Sequence, residues 1–439
     1  MIMSSQSEDD LKPLDLPERQ EYTHRAHRFP GKFHPPLIAK IIEEHPDRDV
    51  IADPMAGSGT VAVESAVANR DALCVDIDPL SELMTRAKSQ PVPTDDLLDI
   101  GNAILDQSEE PPEEGELDED IAKAEVEANL EGTQYCEPYN MFHWFEPYVA
   151  VGFSRLLSTA NDILEDESDE MTDAIHLCFA ASVRRISRAD PQPVSGLEVT
   201  KVRRQELEEG IDFDVTGTFE QVLNRLVRGY DELNDLNGLG DVETVHGNAK
   251  NFAEICEEYE KQPELVITSP PYCTAIEYPR RHRLEYEWLG LFNDDDVEDQ
   301  RSERIETSRD FFGSTSTRQE TLRNLPEIEH EDIAELMVQI EEDGKERKAN
   351  ILRKYFLDAY DWIEQVHEAL PEGGIFCMTV GPSTSYGNTI DTPRFLREIA
   401  EEVGFGVVSE RPYKLTNKKM QYPTDGETTE MESLIKLRV

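Results

Sequence analysis

One unit near the start of the chain constrains the fold more than any other: a short apolar run, a glycine turn and a helix-forming segment. The apolar run is Val50–Ala52, the turn is Asp53–Thr60 (DPMAGSGT), and a helical pattern covers 61–69. Such an apolar run predicts a buried parallel strand. Gly57 and Gly59 permit a ligand to approach the backbone, and the helix N-terminus presents free N–H groups. The unit therefore predicts an α/β fold with a binding site at a strand end.

A second apolar run follows this unit and ends at an acidic residue. Ala72–Val75 predicts a short strand that ends at Asp76, about 20 residues beyond the glycine turn. A carboxylate at this position is placed to hold ribose hydroxyls. Asp78 is the alternative, because alternation along a strand puts both side chains on the same face.

A third apolar run ends in a turn that is stiffened by two prolines. Leu265–Ile267 predicts another buried parallel strand, and Thr268–Tyr272 (TSPPY) follows it. Proline cannot continue a strand ladder, so the chain leaves the sheet here, while both proline carbonyls still accept hydrogen bonds. A stiff turn with open carbonyls, a serine hydroxyl and a tyrosine ring suits a flat ring that carries an amine. Taken alone, a Pro-Pro loop without function is the alternative.

Together the two motifs resemble the motif pair of the S-adenosylmethionine-dependent DNA amino-methyltransferases. In that family the first motif binds the cofactor and the second holds a flipped-out base. The Ser-Pro-Pro-Tyr form resembles the cytosine-N4 branch. The resemblance implies a Rossmann-like class I methyltransferase fold with the cofactor across the carboxyl ends of the strands. The alternation of strands and helices separately predicts a doubly wound, mainly parallel sheet, here with a helical insertion.

The resemblance also implies roles for individual residues. The predicted catalytic residues are those of the second motif: Ser269, Pro270, Pro271 and Tyr272. The predicted cofactor residues come from the first motif, the next two strand ends and a segment before the first strand: Asp53, Pro54, Gly57, Ser58, Gly59, Thr60, Asp76, Asn248, Lys32 and Phe33. For Asn248 the alternative is an asparagine that only forms a turn. For Lys32 and Phe33 the alternative is a loop that packs on the protein.

Basic clusters near the motifs are the predicted contacts to DNA phosphates, and one tyrosine is predicted to help wall the base pocket. These residues are Arg184, Arg185, Arg280, Arg281, Arg283 and Tyr278. Phosphate contacts of this kind position a protein on DNA without reading its sequence. Pairing with nearby carboxylates is the alternative for each arginine.

The resemblance implies direct transfer of a methyl group to cytosine N4, with the base outside the duplex. Hydrogen bonds from the amine to Ser269 and to the Pro270 carbonyl, with the base stacked on Tyr272, would supply most of the catalysis. Three alternatives stay open. They are adenine-N6 methylation of DNA, methylation of a base amine in RNA, and a regulator that binds a nucleotide without catalysis.

Composition indicates the environment rather than the ligand. The 439 residues carry 93 acidic and 43 basic side chains, a net charge of −50. The acids are spread along the chain, a pattern typical of a halophilic archaeal protein. At molar salt the Debye length is about 3 Å, so net charge does not exclude DNA as a partner.

The six cysteines have no zinc-ligand spacing, and no metal is expected. Without a signal peptide or long apolar run, a cytoplasmic location is expected.

The expected organisation is a catalytic domain interrupted by insertions. Residues 1–20 are predicted to be a flexible acidic arm, and 21–95, 241–290 and 350–439 the catalytic methyltransferase domain. Residues 91–131 are expected to form an acidic surface loop with room for one helix, and 96–240 as a whole are an acidic loop plus a helical insertion. The insertion at 96–240, the charged insertion at 291–349, or both are expected to read the target. The expected partner is double-stranded DNA, bound by a monomer or weak dimer; an accompanying restriction endonuclease is left open.

Overall fold

A single mainly parallel sheet forms the centre of the protein. The structure is a computed structural model that describes residues 16, 21–191, 196–259, 262–273, 278–292, 305–314, 317–385, 388–414 and 431–439. Its strands are β1 (Val50–Asp53), β2 (Asp71–Asp76), β3 (Val242–His246), β4 (Leu265–Thr268), β5 (Ile375–Val380), β6 (Ser383–Ser385), β7 (Asn388–Ile390), β8 (Gly406–Lys414) and β9 (Met431–Arg438). Strands β6 and β7 form a separate antiparallel pair.

Helices cover the sheet and build the insertion between β2 and β3. They are α1 (Pro35–Glu43), α2 (Thr60–Val67), α3 (Pro79–Ser89), α4 (Thr94–Gln107), α5 (Glu119–Leu130), α6 (Met141–Trp144), α7 (Pro147–Leu164), α8 (Asp169–Val183), α9 (Lys201–Glu208), α10 (Val215–Asn234), α11 (Phe252–Glu258), α12 (Tyr278–Arg281), α13 (Arg283–Leu289), α14 (Gln319–Arg323), α15 (Glu331–Glu342), α16 (Glu346–Ala369) and α17 (Thr392–Val403). Residues 305–310 are also helical, and Tyr22–Arg25 and Ala249–Asn251 are short 3-10 turns.

The strand order of the seven-stranded sheet is β3-β2-β1-β4-β5-β9-β8. Strands β1 to β5 run parallel, and β9 runs antiparallel to both β5 and β8. All four residues of β1 and of β4 are buried, which explains why these strands are continuous apolar runs. The predicted α/β fold, a doubly wound mainly parallel sheet with a helical insertion, is confirmed.

The order of the sheet reverses between β1 and β4, which are hydrogen-bonded neighbours. Ile51 on β1 lies opposite Leu265 on β4 and opposite Ala72 on β2. In open α/β sheets a ligand crevice forms outside the carboxyl ends of the strands at such a reversal. The two predicted motifs follow β1 and β4, so the topology brings their turns to the same crevice.

The prediction of an acidic surface loop with room for one helix at 91–131 was wrong. Two helices, α4 and α5, occupy this segment, and each buries one stripe of residues. In α5 the stripe is Ala122, Val126 and Leu130, spaced four residues apart, while the acids face water. The predicted acidic arm at 1–20, apart from residue 16, lies outside the described residues.

The helical insertion shares one hydrophobic core with helices that flank the crevice. This core includes Leu83 on α3, Phe153 on α7 and Trp288 on α13. The rings of Phe153 and Trp288 meet edge to face, with centroids 5.1 Å apart. The insertion is therefore fixed to the helix that follows the TSPPY motif. A role for residues 96–240 in target recognition stays a prediction.

Candidate functional site

A cleft of about 860 Å³, open to solvent, lies at the carboxyl end of the sheet. Four neighbouring strand ends line it: Pro54–Ser58 after β1, Asp76–Asp78 after β2, Asn248–Lys250 after β3, and Ser269 with Pro271 after β4. The sheet reversal therefore forms a single cleft in which both sequence motifs take part.

The glycine turn has the tight geometry that its sequence requires. Gly59 begins α2 with a left-handed backbone, φ +70° and ψ 27°. A Cβ at this position would lie 2.8 Å from the Cα atom of Thr85 on α3, closer than real contacts allow. The absence of a side chain at Gly59 thus lets the turn pack directly on α3. Beneath the turn, the buried Lys88 ammonium donates to the Ser58 carbonyl.

Asp76 holds the glycine turn through its carboxylate. Its Oδ2 accepts from the Gly57 amide at 2.7 Å, and its Oδ1 accepts from the Asp78 amide at 2.8 Å. Burial, and then the neighbouring Asp78 carboxylate, raise the pKa of Asp76 to about 7. A carboxylate offers about four acceptor positions, so Asp76 can still accept from hydroxyl groups in the cleft.

Asp78 has a structural task in the same cleft wall. Its Oδ1 caps α3 by accepting from the Leu80 amide at 2.8 Å, and its Oδ2 lies 2.9 Å from Nδ1 of His282. Asp78 is 2% exposed, whereas Asp76 is half-buried. Both carboxylates accept hydrogen bonds within the protein, so it is the greater exposure of Asp76 that makes it the more accessible acceptor for a ligand in the cleft.

Asp53 connects the two motif-bearing strands from beneath the cleft. Its Oδ1 accepts from the Thr268 hydroxyl at 2.7 Å and from the Met55 amide at 3.0 Å. Its Oδ2 is buried and has no hydrogen-bond partner within the part of the chain that the structure describes. Burial raises the pKa of Asp53 to about 7. The Asp53–Thr268 bond fixes the end of β1 against the end of β4.

Three hydrogen bonds to other elements hold the TSPPY turn in place. Ser269 Oγ donates to the Thr379 carbonyl at 3.3 Å, and the Pro271 carbonyl accepts from the Tyr355 hydroxyl at 2.9 Å. The Tyr272 hydroxyl donates to Glu432 on β9, and burial is the main cause that raises the pKa of Tyr272. The turn is therefore clamped by β5, α16 and β9.

Two aromatic groups form part of the cleft wall. In the first, Phe29 stacks on Tyr278, with ring centroids 5.3 Å apart and planes inclined by 20°. The second wall group consists of Phe311, Phe312 and Trp362. Phe29 and this second wall were missed from the sequence. The pair of adjacent phenylalanines in an otherwise charged segment was the available signal.

The predicted residues divide into those that line the cleft and those that do not. Ten line it: Phe33, Pro54, Gly57, Ser58, Thr60, Asp76, Asn248, Ser269, Pro271 and Tyr278. Five others support these from outside the cleft wall: Lys32, Asp53, Gly59, Pro270 and Tyr272. The Lys32 ammonium donates to the His24 carbonyl, and burial lowers the pKa of Lys32 to about 7.

Two of the predicted phosphate contacts need correction because their side chains are buried. Arg184 is 6% exposed, and its guanidinium donates to the carbonyls of Arg281, Asp190 and Gly196. Arg281 is itself only 2% exposed. Neither side chain can reach a phosphate outside the protein without leaving its buried position. Arg184 instead joins the end of α8 to α12 and to the main chain at Asp190 and Gly196.

The other predicted phosphate contacts differ in exposure. Arg283 pairs with Glu287 at 3.3 Å, and its guanidinium lies over the Trp144 ring at 5.5 Å. Arg185 is half-buried and Arg280 is exposed. Arg280 is thus the residue of the 280–283 run that is most open to a ligand.

Comparison with known proteins adds independent information. The chain is similar to type II methyltransferases. It is 26% identical over 296 residues to M.MvaI of Kocuria varians, across 63% of this chain and 60% of that relative. It is 22% identical over 351 residues to M.MjaII of Methanocaldococcus jannaschii, across 65% of this chain and 66% of the relative. It is 23% identical over 290 residues to M.BsoBI of Geobacillus stearothermophilus, across 62% of this chain and 54% of that relative.

The chain thus spans less than two thirds of the length of each of these relatives. No protein-family model matches it. Among solved structures, the rRNA methyltransferase aviRa from Streptomyces viridochromogenes aligns with a TM-score of 0.31 and 10% identity, covering 94% of this chain and 86% of that chain. None of the described helices is long and apolar enough to cross a membrane.

Proposed function

We propose that the chain is a site-specific DNA methyltransferase that moves a methyl group from S-adenosyl-L-methionine to the exocyclic N4 amine of a flipped-out cytosine. One observation carries the proposal: Ser269 and Pro271 of the TSPPY turn line the same cleft as the glycine turn and Asp76. A cofactor held by the glycine turn and Asp76 would thus lie beside a base held by the TSPPY turn. The similarity to type II methyltransferases supports this function.

The residues of the cleft fit S-adenosylmethionine. Asp76 offers a carboxylate for ribose hydroxyls, and Asn248 offers an amide for the adenine ring. The unpartnered Oδ2 of Asp53, buried beside the cleft, suits the cationic amino group of the cofactor. Phe33 lines the same cleft and supplies an apolar contact. When bound, S-adenosylmethionine supplies the electrophilic methyl group.

The TSPPY turn is suited to hold and activate an amine. Ser269 donates its own proton to the Thr379 carbonyl, so its oxygen lone pairs stay available to accept from an amine. Within the described residues, no group donates to the Pro270 carbonyl. An amine that donates to both acceptors becomes more pyramidal, and its nitrogen lone pair becomes more nucleophilic. Catalysis then comes mainly from alignment and from fixed dipoles.

Tyr272 would contribute its ring rather than its hydroxyl. The hydroxyl is bound to Glu432, which also accepts from Tyr413, and this contact fixes the ring. A fixed ring next to the TSPPY carbonyls provides a stacking surface for a base. Stacking and hydrogen bonds would offset the few kcal/mol that extrusion of a base from duplex DNA costs. We expect a monomer that acts on DNA in the cytoplasm.

The test is methyl transfer at high salt from labelled S-adenosylmethionine to unmodified DNA, followed by nucleoside mass spectrometry. N4-methylcytosine is the expected product. Ser269→Ala is expected to lower kcat by about a hundredfold, since one acceptor of the amine is lost. N6-methyladenine as the product would overturn the cytosine-N4 assignment. Methyl transfer to RNA alone would overturn DNA as the substrate.

A matched pair of variants separates the ring from the hydroxyl of Tyr272. Tyr272→Phe keeps the stacking surface and is expected to retain most of the activity. Tyr272→Ala removes the ring, and base stacking on an aromatic side chain contributes about 1–3 kcal/mol. Activity is therefore expected to fall by at least tenfold in the alanine variant. Equal activity of the two variants would contradict a stacking role for Tyr272.

A further inference from the structure

Five arginines from three separate segments lie together beside the cleft. Arg25 and Arg28 belong to the segment before β1, Arg185 follows α8, and Arg225 and Arg228 lie on α10. We call these five residues the arginine cluster. Arg25, Arg28 and Arg228 are exposed, and the other two are half-buried. Arg28 directly precedes Phe29, which lines the cleft, so the cluster continues from the cleft wall.

A close backbone contact brings the first segment onto α10. A Cβ at Gly229 would lie 2.8 Å from the carbonyl oxygen of Tyr22, so only glycine permits this approach. The Thr23 hydroxyl donates to the Lys88 carbonyl on α3 at 2.7 Å, which fixes the 3-10 turn from its other side. Arg225 lies one helical turn before Gly229, and Arg228 directly precedes Gly229. The contact thus holds Arg25 and Arg28 next to them.

A second contact positions Arg185 at the same place. Helix α8 packs against α10, with the rings of Phe179 and Phe219 4.7 Å apart. Arg185 lies two residues beyond the end of α8. Arg28 Nη1 donates to the Pro191 carbonyl at 3.4 Å, in the loop that follows Arg185. Three packed elements therefore hold the five guanidinium groups close together.

Within the part of the chain that the structure describes, no carboxylate neutralises the charges of the cluster. Burial, and then Arg225 and Arg28, lower the pKa of Arg185 to about 10. Burial and then Arg28, Arg228 and Arg25 lower the pKa of Arg225. No carboxylate among the described residues forms a salt bridge with any of the five. Glu232, further along α10, accepts instead from the Tyr22 amide.

This lack of partners is unusual for a chain with 93 acidic and 43 basic residues. Other arginines on α3 and in the helical insertion do pair with carboxylates: Arg86 with Asp173, Arg155 with Glu125, and Arg188 with Glu146. Five like charges held together repel one another in the free protein. A bound polyanion would relieve that repulsion, so the cluster is built for a partner of negative charge.

We propose that the arginine cluster binds the phosphate backbone of the duplex DNA whose base enters the cleft. The inference rests on the proposed function, because the position of the cluster next to Phe29 gives it a role only if DNA reaches the cleft. A guanidinium group presents paired N–H donors that match phosphate oxygens, and it is always charged. Arg225, Arg228, Arg25 and Arg28 add a phosphate-binding surface that the sequence motifs do not indicate.

The decisive experiment measures the salt dependence of duplex binding, by fluorescence anisotropy, from about 0.1 to 1 M KCl. Each phosphate contact contributes about 0.9 to the slope of log K against log salt. Arg225→Gln/Arg228→Gln is therefore expected to reduce the slope by about 1.8 and to weaken binding at low salt by at least tenfold. Arg25→Gln/Arg28→Gln, on an exposed segment, should do the same even if the α10 variant folds poorly.

Arg394→Gln/Arg397→Gln is the matched control, because it removes two arginines of α17 that pair with Asp332 and Glu410. The control is expected to bind DNA with the wild-type slope, and all variants to bind S-adenosylmethionine with the wild-type Kd. A wild-type slope in both cluster variants would overturn the inference while DNA methylation by the wild-type protein stands. Cluster variants that lose affinity for RNA but not for DNA would also overturn it. Absence of duplex binding and methylation in the wild-type protein would overturn the proposed function as well.

Discussion

Asp76 holds the glycine turn, and in the proposed function it also binds the cofactor, so its ionisation is expected to make cofactor affinity depend on pH. Burial raises the pKa of Asp76 to about 7, so the carboxyl group is mostly protonated below that pH. An ionised carboxylate is the stronger acceptor for ribose hydroxyls. Binding below pH 7 therefore requires loss of a proton, at a cost of about 1.4 kcal/mol per pH unit. We expect the Kd for S-adenosylmethionine to be about tenfold weaker at pH 6 than at pH 8.

Calorimetry across this pH range tests the expectation. The control is Asp76→Asn, which keeps the shape of the side chain but cannot titrate. Its affinity should be weaker at pH 8 and should lose most of the pH dependence, with a remainder from Asp53, whose pKa is also raised to about 7 by burial. An unchanged pH profile in Asp76→Asn would assign the titration to another group.

Arg184 illustrates a basic residue whose role is opposite to the one its sequence suggests. Its guanidinium is buried and donates to three main-chain carbonyls. Arg184→Met leaves these carbonyls without a donor, which is expected to lower the free energy of unfolding by about 2–4 kcal/mol. Denaturant unfolding measures this loss. In the folded variant the salt slope of DNA binding should equal that of the wild type, whereas Arg185→Gln should lower it by about 0.9. A reduced salt slope in Arg184→Met would instead show that Arg184 contacts a DNA phosphate.

At the scale of elements, the junction of β1 and α2 depends on Gly59. The residue has φ +70°, and a Cβ there would meet the Cα of Thr85 at 2.8 Å. Gly59→Ala therefore combines backbone strain with overpacking, and we expect it to cost about 2–4 kcal/mol and to weaken cofactor binding. Gly344→Ala is the control, since Gly344 has φ +74° and open space around its Cβ position. Strain alone should cost about 1 kcal/mol there. Equal losses in the two variants, by denaturant unfolding, would mean that the contact with α3 contributes nothing.

Local sequence was sufficient for the strand ends that bear the motifs. Central parallel strands are continuous apolar runs that stop at a glycine or proline turn, so the ends of β1, β2 and β4 were predicted to within one residue. The helices α4 and α5 were missed because their many acids hide a narrow buried stripe. Apolar spacing, rather than charge, would have found them.

Features set by contacts distant in sequence could not be predicted. Phe312 belongs to the cleft because Tyr355, on α16, stacks on it at 4.3 Å, and no periodicity in the charged segment indicates this contact. The burial of Arg184 likewise depends on carbonyls as distant as that of Arg281. The arginine cluster requires three segments to meet around Gly229. Such assignments need the tertiary structure, because burial decides whether a basic residue faces a ligand or the protein.

At the scale of the whole molecule, the net charge of −50 has to be reconciled with DNA as the proposed partner. A strongly acidic surface repels both itself and a polyanion, and salt screens both effects. The Debye length falls from about 10 Å at 0.1 M salt to about 3 Å at 1 M. At molar salt, distant acids no longer act on the DNA, while direct contacts between guanidinium groups and phosphates persist. Under the proposed function, the arginine cluster and the exposed Arg280 are the residues expected to determine where a duplex binds.

The same screening predicts that the folded protein becomes more stable as salt rises. Folding brings acidic side chains closer together, so their repulsion opposes the compact state at low ionic strength. We expect the Tm to rise steadily from about 0.1 M to at least 1 M KCl, the range in which the Debye length shrinks most. Calorimetry at constant pH measures this rise. Sucrose is the control, since it stabilises by exclusion from the surface without screening charge. A Tm that sucrose raises but KCl does not would show that repulsion among the acids does not limit stability, and that the acidic composition needs another explanation.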